Sequence, residues 1–348
     1  MIDKLIRSHI RNFQPYVSAR SEVPDARVFL DANELPVNNP VSPDGLKLNR
    51  YPDPQQLNLR QAIGEHISVP PEMIFAGVGS DEIIDLLVRL LCEPGRDSVA
   101  ILEPTYGVYR VAASLNAVRV LGVDLSDEFQ IDLPAVTARI GANTKLLFLC
   151  SPNNPTGNLL KREDILSLCA STKGIVVADQ AYIEFAPAAG DLAREVERFD
   201  NLVVLRTFSK AWGLAGMRLG YCIANPQLIS YLLRIKSPYT VGAVTTHLAL
   251  SALKNPSFPR DAAATVVRER DALSERLRAF PAVIGVAPSD SNFLLVRFRE
   301  AKRVYESLRA CGIIVRRRPE QRLADCLRIT VGTSEENSRL LSEIGKIV

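Results

Sequence analysis

Between about residue 55 and residue 250, short apolar runs alternate along the chain with amphipathic stretches of helical period. The runs have the length of buried strands, whereas the stretches between them carry one apolar face. This alternation favours an α/β fold with a mainly parallel sheet and helices on both of its faces. The predicted strands are 98–102, 118–123, 145–150, 174–178, 202–206 and 219–224, and two of the predicted helices are 81–92 and 163–170.

The pattern changes after about residue 255, where strands and helices mix in the manner of a smaller α+β domain. Residues 1–50 are rich in proline and polar side chains, and we expect them to be mostly irregular and to fold back onto that domain. We therefore predict a large domain at 30–250 and a small domain formed by 1–29 and 251–348. The elements predicted in the small domain are helices at 261–278 and 302–310 and strands at 283–286, 292–298, 313–316 and 327–331.

The chain has 348 residues, of which 47% are hydrophobic, so it can bury a large core and divide into two domains. Its 42 basic and 39 acidic residues leave a net charge of +3, which is too even a balance to indicate nucleic acid or an anionic membrane as a partner. The N-terminus lacks the apolar core of a signal peptide, and no stretch approaches the ~18 apolar residues of a membrane helix. We therefore expect a soluble cytoplasmic protein.

The cysteines and histidines do not form metal-binding or catalytic patterns. Six cysteines are scattered without paired spacing, which favours small buried side chains over metal ligands or disulfides. The three histidines lie far apart, so neither a metal site nor a Ser-His-Asp triad is indicated. We predict no bound metal.

Polar segments at strand ends and helix starts are the candidates for a ligand site, because open α/β sheets bind their ligands there. The first, 77–82, has two glycines followed by Ser80 and Asp81 at the start of a predicted helix. We expect Ser80 to cap this helix, whose free N–H groups and macrodipole can hold a phosphate. An ordinary capped helix without a ligand accounts for the same residues equally well.

Two further segments carry groups suited to a planar ring. Tyr106 lies in 103–107, after the strand that ends at Leu102, and its ring can stack on a planar ligand. Asn154 lies in 151–157, a tight loop with two prolines and a glycine, and its amide offers both a donor and an acceptor. Each segment can also have a purely structural role, since the tyrosine can pack in the core and the loop can simply turn the chain.

Asp179 ends a predicted buried strand, where a carboxylate without a cation is costly. A protonated pyridine nitrogen would supply that cation, and an acidic partner preserves the electron-withdrawing character of such a ring. Tyr182, three residues further on, can reach a phenolic oxygen on the ring. Capping of a helix, or pairing with an arginine, accounts for Asp179 equally well.

Lys210 follows the apolar run 202–205, with Ser209 before it and Arg218 in the glycine-punctuated loop after it. Burial disfavours the ammonium form, and the neutral amine is a nucleophile that forms a Schiff base with an aldehyde. Taken by itself, Lys210 is better interpreted as an ordinary solvated lysine. Together, the segments supply a phosphate site, a stacking ring, an amide, a carboxylate and a lysine, which is the set of contacts that pyridoxal phosphate needs.

These residues bring the chain close to a known family. It resembles the aminotransferase superfamily with the aspartate-aminotransferase type of fold, and the resemblance covers nearly the whole chain. The motifs SPNNPTG, ADQAY and SKAWGLAGMRLGY are highly specific for that superfamily. Within it, the chain is most similar to the histidinol-phosphate aminotransferases. The segments that carry this closer similarity are 15–20, 30–34 and 50–54.

The resemblance implies roles around the ring of pyridoxal phosphate. Lys210 would form the internal aldimine and then move the proton, and Asp179 would pair with the pyridine nitrogen. Asn154 and Tyr182 would bond the ring oxygen. Tyr106 would stack on the ring. Of these residues, the resemblance marks Lys210, Asp179 and Tyr182 as catalytic.

The resemblance also implies a phosphate site, a second subunit and a substrate pocket. Tyr51 would reach the cofactor phosphate in the neighbouring subunit, which implies a homodimer. Arg328 would clamp the substrate α-carboxylate where one exists. The residues implied for the cofactor phosphate are Ser80, Asp81, Ser209 and Arg218, and those implied for the substrate side chain are Tyr16, Asn33 and Arg316. The run 316–318 has three arginines, and which of them faces the site stays open.

The activity that the resemblance implies is transamination between histidinol phosphate and 2-oxoglutarate, giving imidazole acetol phosphate and glutamate in histidine biosynthesis. The small domain would then close on the substrate. An aromatic or broad-specificity aminotransferase, or a phosphothreonine decarboxylase, would share the same cofactor contacts. A regulator that keeps the fold without turnover is a further alternative, although it would not need Lys210. Gln180 stands where the family more often has glutamate, and we expect this difference to change little.

Overall fold

The structure is a computed structural model that describes residues 2–11, 45–318 and 321–347. Its large sheet has seven strands in the order β1-β7-β6-β5-β4-β2-β3. Strands β3, β2, β4, β5 and β6 are parallel, whereas β7 runs antiparallel to both of its neighbours. The strands are β1 (Ile74–Gly77), β2 (Ser98–Glu103), β3 (Arg119–Asp124), β4 (Thr144–Cys150), β5 (Ile175–Asp179), β6 (Leu202–Thr207) and β7 (Gly220–Ile223).

Helices cover both faces of this sheet, which confirms the predicted α/β fold. One face packs under Leu59, Ile63 and Leu168, and the other packs under Leu87 and Leu232. Strands buried on both sides in this way have near-continuous apolar sequences, as the predicted runs do. The helices up to this point in the chain are α1 (Ile2–Leu5), α2 (Ser8–Arg11), α3 (Leu57–Ile67), α4 (Gly79–Leu91), α5 (Val108–Leu115), α6 (Leu133–Arg139), α7 (Arg162–Ser171), α8 (Pro226–Ile235) and α9 (Ala243–Leu253).

The first described residues contact the large sheet's helices, not the smaller domain. Ile2, Ile6 and Ile10 are buried in the same core as α4 and α8. The hydroxyl of Tyr231 in α8 donates to Asp3 at 2.6 Å. The prediction that this end of the chain joins the small domain is therefore wrong for residues 2–11, because isoleucines four positions apart form an apolar stripe that the large core buries.

The C-terminal part forms a second, antiparallel sheet with its own apolar core. The predicted strand at 313–316 is wrong over most of its length, because only Arg316–Arg317 pairs with a neighbour, and Ile314 is 78% exposed. The sheet has the order β10-β11-β9-β8, with β8 (Val283–Val286), β9 (Phe293–Phe298), β10 (Arg316–Arg317) and β11 (Cys326–Thr330). Its helices are α10 (Ser257–Arg278), α11 (Ala301–Ala310) and α12 (Ser334–Ile347).

The cysteines behave largely as predicted. All six are free thiols; five are buried, and Cys311 is exposed. Within residues 2–11, 45–318 and 321–347, no group of histidine, cysteine, aspartate and glutamate side chains is arranged to hold a metal ion. In the same part of the chain, no helix combines the length and the apolar content needed to cross a membrane.

Candidate active site

A cavity of about 240 Å³ lies at the carboxyl ends of β5 and β6, against the first turn of α4. This is the edge of a parallel sheet where ligands are expected. The cavity brings together ten of the side chains that sequence analysis singled out: Ser80, Asp81, Tyr106, Asn154, Asp179, Tyr182, Ser209, Lys210, Arg218 and Arg328. It is also lined by Cys150, Ala181 and Thr207, which sequence analysis did not single out.

Asp179 forms the buried floor of the cavity. It is the last residue of β5 and is only 2% exposed. Its Oδ2 accepts a hydrogen bond from the Tyr109 hydroxyl at 2.6 Å, and its Oδ1 accepts one from the Ala181 N–H at 3.2 Å. Burial raises the pKa of Asp179 to about 6, against the smaller lowering by the Tyr109 hydrogen bond. Among the described residues no arginine pairs with Asp179.

Lys210 lies in the loop that follows β6, with its Nζ 5.2 Å from the centre of the Tyr182 ring. The side chain is half-buried, not freely solvated. Burial lowers the pKa of Lys210, and the nearby positive charge of Arg328 lowers it further. Both effects favour the neutral amine, which is the form that can attack a carbonyl or accept a proton.

The end of the cavity away from Asp179 carries groups that can bind an anion. Arg218 donates from Nη1 to the Ser209 hydroxyl at 3.3 Å, and its Nη2 lies 3.7 Å from Asp81. Gly79 begins α4 with φ +73°, and a Cβ there would lie 2.8 Å from the Arg218 guanidinium. The glycine therefore lets the guanidinium approach the helix N-terminus, where free N–H groups favour negative charge.

The helix cap at this end differs from the prediction. Helix α4 begins at Gly79, so the capping position is Val78, and Ser80 lies inside the first turn. The Val78 N–H is bound by the Glu82 carboxylate at 2.6 Å. Ser80 therefore does not cap the helix, because it is the second residue of the helix and does not precede its first turn. Its side chain instead lines the cavity.

A chain of hydrogen bonds links three of the side chains that line the cavity. Asn154 donates from Nδ2 to the Tyr182 hydroxyl at 3.2 Å, and its Oδ1 accepts from Arg328 at 2.6 Å. Tyr106 donates to Asp81 at 3.1 Å, so its ring is held beside the anion end. Because Arg328 belongs to β11, this chain joins the small sheet to the loop after β4.

Two predicted residues lie outside the cavity lining, and two more lie outside the described residues. Arg316 is exposed on β10, opposite Arg328 in the ladder, and does not line the cavity. Tyr51 also lies outside the cavity lining, with its ring stacked on Tyr239 at 4.5 Å. Tyr16 and Asn33 lie outside the described residues. Of the arginines at 316–318, Arg318 reaches the Tyr106 loop, where its Nη2 donates to the Thr105 carbonyl at 3.1 Å.

Sequence analysis missed Tyr109, whose hydroxyl holds the floor carboxylate. Its only local signal is its position three residues after Tyr106, which places both rings near one end of α5. Gln180 faces away from the cavity: its amide donates to the Gly190 carbonyl at 2.7 Å and accepts from the Leu192 N–H at 3.2 Å. The departure from glutamate at this position therefore alters a structural contact outside the cavity.

The donor set of the cavity fits pyridoxal phosphate. A dianionic phosphate matches the α4 N-terminus with the hydroxyl and guanidinium groups beside it. A protonated pyridine nitrogen matches the buried carboxylate of Asp179, which has no cationic partner among the described residues. An aldehyde matches the amine of Lys210, which lies between these two ends.

Comparison with known proteins agrees with this geometry. The family model described as aminotransferase class I and II matches residues 28–344. Histidinol-phosphate aminotransferases from Cytophaga hutchinsonii and Parabacteroides distasonis are 43% and 45% identical, over 98% and 97% of this chain and 97% and 96% of theirs. The crystal structure of the Sinorhizobium meliloti histidinol-phosphate aminotransferase with pyridoxal-5'-phosphate has a TM-score of 0.80 at 24% identity, over 86% of this chain and 83% of that one.

The family match spans both sheets of the molecule and every described residue of the cavity. The two bacterial relatives extend the match over nearly the whole chain at identities well above those at which only a fold is shared. The chain belongs to the aminotransferase class I and II family, whose members are pyridoxal-phosphate-dependent enzymes, and it groups there with the histidinol-phosphate aminotransferases.

Proposed function

We propose that this aminotransferase exchanges an amino group between histidinol phosphate and 2-oxoglutarate. The observation that carries the proposal is the cavity in which a buried carboxylate, an amine of lowered pKa and an anion site meet Arg328. The substrates follow from the names of the relatives that match almost the full chain. Their chemistry suits the site, since each carries an anionic group that an arginine can bind.

Two ends of the cavity would hold the cofactor. Ser80, Ser209 and Arg218, with the N–H groups of α4, would bind its phosphate, while Asp179 would face its ring nitrogen. Asn154 and Tyr182 are hydrogen-bonded to each other beside Lys210, where a ring oxygen would lie. When bound, pyridoxal phosphate supplies an aldehyde that takes up the amino group and a ring that withdraws electrons.

Lys210 would act as the base. Its lowered pKa leaves more of the Nζ neutral near pH 7, so that it can accept a proton from the substrate Cα and return it. The ring of Tyr182 lies beside this amine, and the positive charge of Arg328 contributes to its lowered pKa. Asp179 would remain a carboxylate and hold the ring nitrogen in its protonated form.

Arg328 would bind the α-carboxylate of glutamate or 2-oxoglutarate. It is half-buried and already donates to Asn154 from Nη1, while its Nε is buried and has no partner among the described residues. A substrate carboxylate that accepts a hydrogen bond from the Nε side of the Arg328 guanidinium would satisfy that donor. We propose that the domain at 251–348, which carries Arg328, closes over the large domain at 30–250 when this bond forms.

The far end of the substrate would meet a second group of residues. Histidinol phosphate lacks an α-carboxylate, so its phosphate needs a cation in addition to or in place of Arg328. We propose Arg316 for this role together with Tyr16 and Asn33. Arg318 is the alternative within the same run, and its bond to the Thr105 carbonyl supports it.

We propose that the enzyme is a homodimer in which Tyr51 reaches the partner's cofactor phosphate. Tyr51 is 51% exposed although its ring stacks on Tyr239. Leu57, Val244 and Leu248 are also exposed on α3 and α9, where a second subunit would cover them. Sedimentation analysis of the purified protein tests the dimer, and a monomeric holoenzyme with full activity would contradict it.

The substrate proposal is tested by steady-state kinetics with three amino-group donors and 2-oxoglutarate as acceptor. We expect kcat/KM for histidinol phosphate to exceed that for phenylalanine by about 100-fold or more, because a bound phosphate adds charge-assisted hydrogen bonds. Phosphothreonine is the control for a decarboxylase, which would release carbon dioxide. Failure to use histidinol phosphate would overturn the substrate proposal and leave the family assignment in place.

A further inference from the structure

Tyr109 occupies a rigid position directly beneath the cavity. It lies in the first turn of α5 and is fully buried. Its ring stacks on Phe148 of β4 with centroids 4.7 Å apart and planes at 6°, and it meets the Tyr106 ring edge-on at 5.6 Å. Because the fully buried ring packs on Phe148 and against Tyr106, the direction of its hydroxyl is fixed.

The hydroxyl is directed at the Asp179 carboxylate, with the Cys150 thiol as a further neighbour. It donates to Oδ2 of Asp179 at 2.6 Å, which is short for an O–H···O bond and typical of a charged acceptor. The other oxygen of the carboxylate accepts the Ala181 N–H at 3.2 Å. Among the described residues these are the two hydrogen bonds that the Asp179 carboxylate accepts, and only the first comes from a side chain.

We propose that Tyr109 is a positioning residue that keeps Asp179 ionised and oriented, so that the ring nitrogen of the bound cofactor holds its proton. The inference rests on the proposed function, because it concerns the cofactor end of the same site. Tyr109 itself lies behind Asp179 and acts through that carboxylate.

The physical reason is a competition for one proton. A carboxylate and a pyridine nitrogen that share a proton divide it according to their relative basicity. Burial makes Asp179 more basic by raising its pKa to about 6, and the hydrogen bond from Tyr109 opposes this by stabilising the carboxylate. Without that bond the proton moves towards Asp179, and the neutral ring withdraws electrons less strongly.

A purely structural role for Tyr109 predicts something different. If the tyrosine serves only to fill the space beside Phe148, then phenylalanine fills it equally well, and removal of the hydroxyl leaves the cofactor unaffected. The proposal predicts that the ring packing is preserved while the state of the cofactor changes. The test therefore needs a readout of the ring nitrogen itself.

The experiment is Tyr109→Phe with Tyr231→Phe as the matched control. Tyr231 donates to Asp3 at the same distance of 2.6 Å, outside the cavity lining, so the control removes an equivalent tyrosine–carboxylate bond. Both holoenzymes are loaded with pyridoxal phosphate labelled with ¹⁵N in the ring, and the ¹⁵N chemical shift is measured across pH. Cofactor affinity, kcat and KM are measured on the same samples.

We expect the ¹⁵N resonance of Tyr109→Phe to move towards that of an unprotonated pyridine, and that of Tyr231→Phe to match the wild type. We expect kcat to fall by about tenfold or more, as for loss of a hydrogen bond to a charged group, while KM changes by less than about threefold. In an Asp179→Asn background the effect on kcat should largely disappear, because the hydroxyl acts through Asp179.

A folded Tyr109→Phe holoenzyme with wild-type ¹⁵N shift and kcat overturns the inference. If that variant does not fold, 4-aminophenylalanine at position 109 keeps the shape and offers a weaker donor, for which a smaller shift in the same direction is expected and no shift is contradictory. Failure of the wild-type protein to bind pyridoxal phosphate would overturn the proposed function instead, so the two failures are distinguishable.

Discussion

The two ends of the cavity are constructed in opposite ways. At the floor, Asp179 is 2% exposed and is held by the buried Tyr109. At the anion end, the side chains of Arg218 and Asp81 are 49% and 43% exposed. Charges interact strongly where water is excluded and weakly where it is present. The floor is therefore suited to controlling a proton, and the anion end is suited to adjustable binding.

Removal of Lys210 tests whether the two ends act without the group between them. We expect Lys210→Ala to lower kcat by about 10⁴-fold or more, because the nucleophile and the base are lost together. The visible absorbance that arises from covalent attachment of the cofactor should also be lost, whereas non-covalent binding should persist. Absorbance spectra and equilibrium dialysis measure these two properties.

Lys236 supplies the control for that experiment. Burial lowers its pKa as well, but its Nζ donates to the carbonyl groups of Ser237 and Pro238 outside the cavity lining. Lys236→Met should retain the absorbance and near-normal turnover in protein that remains folded. A Lys210→Ala enzyme that keeps the absorbance band would contradict the assignment of the reactive amine.

Asp179, at the floor of the cavity, should affect turnover more than it affects cofactor affinity. We expect Asp179→Asn to lower kcat by about 100-fold or more, since a neutral amide no longer keeps the ring nitrogen protonated. The dissociation constant of the cofactor should rise by less than about tenfold, because the anion end is intact. Stopped-flow kinetics and cofactor titration measure the two effects. Near-normal turnover in this variant would contradict the view that the floor controls turnover and the anion end controls cofactor affinity.

The anion end should show the reverse pattern. We expect Arg218→Ala to raise the dissociation constant of pyridoxal phosphate by about tenfold to 100-fold through loss of charge-assisted bonds to the phosphate. At saturating cofactor, kcat should stay within about threefold of the wild type. Repeating the titration at two salt concentrations sharpens the result, because an exposed ion contact is screened. A large fall in kcat without loss of affinity would contradict the comparison.

The smallest expected effect concerns stability of the cofactor-free protein. The pKa of Asp179 is raised from 3.8 to about 6 in the folded state, so the folded protein binds this proton more tightly than the unfolded chain does. Stability that is present at low pH is therefore lost as pH rises through 6. Between pH 5 and pH 7 the wild type should lose about 1 kcal/mol relative to Asp179→Asn. Urea unfolding at both pH values measures this difference, and equal changes in the two proteins would contradict it.

Local sequence patterns predicted the parallel core of the fold well, because apolar runs such as those of β4 and β6 are buried on both faces. They did not predict β1, since its four residues are defined mainly by antiparallel pairing with β7, far along the chain. The error at 313–315 has a related cause. An isoleucine-rich segment is typical of a strand, but Ile314 is exposed and only Arg316 and Arg317 pair with a neighbouring strand.

The candidate site shows the same contrast between local patterns, which sequence analysis detects, and contacts between distant segments, which it does not. Lys210, Asp179 and Asn154 were identified because each lies at or directly after the end of an apolar strand, in a motif that is highly specific for one superfamily. Tyr109 was not, because an aromatic residue in a helix usually indicates core packing. Its role depends on the adjacency of β4 and β5 in the folded sheet, which no local pattern states.

The reversed strand β7 has a consequence for engineering of this enzyme. Because β7 pairs antiparallel with β6, Thr207 lies opposite Gly220, and the segment between them is a loop closed at its base by the ladder. Lys210 and Arg218 are thus carried by one short excursion of the chain. The segment 207–220 can be treated as an exchangeable cassette, in which a graft between relatives transfers the amine and the phosphate cation as one unit.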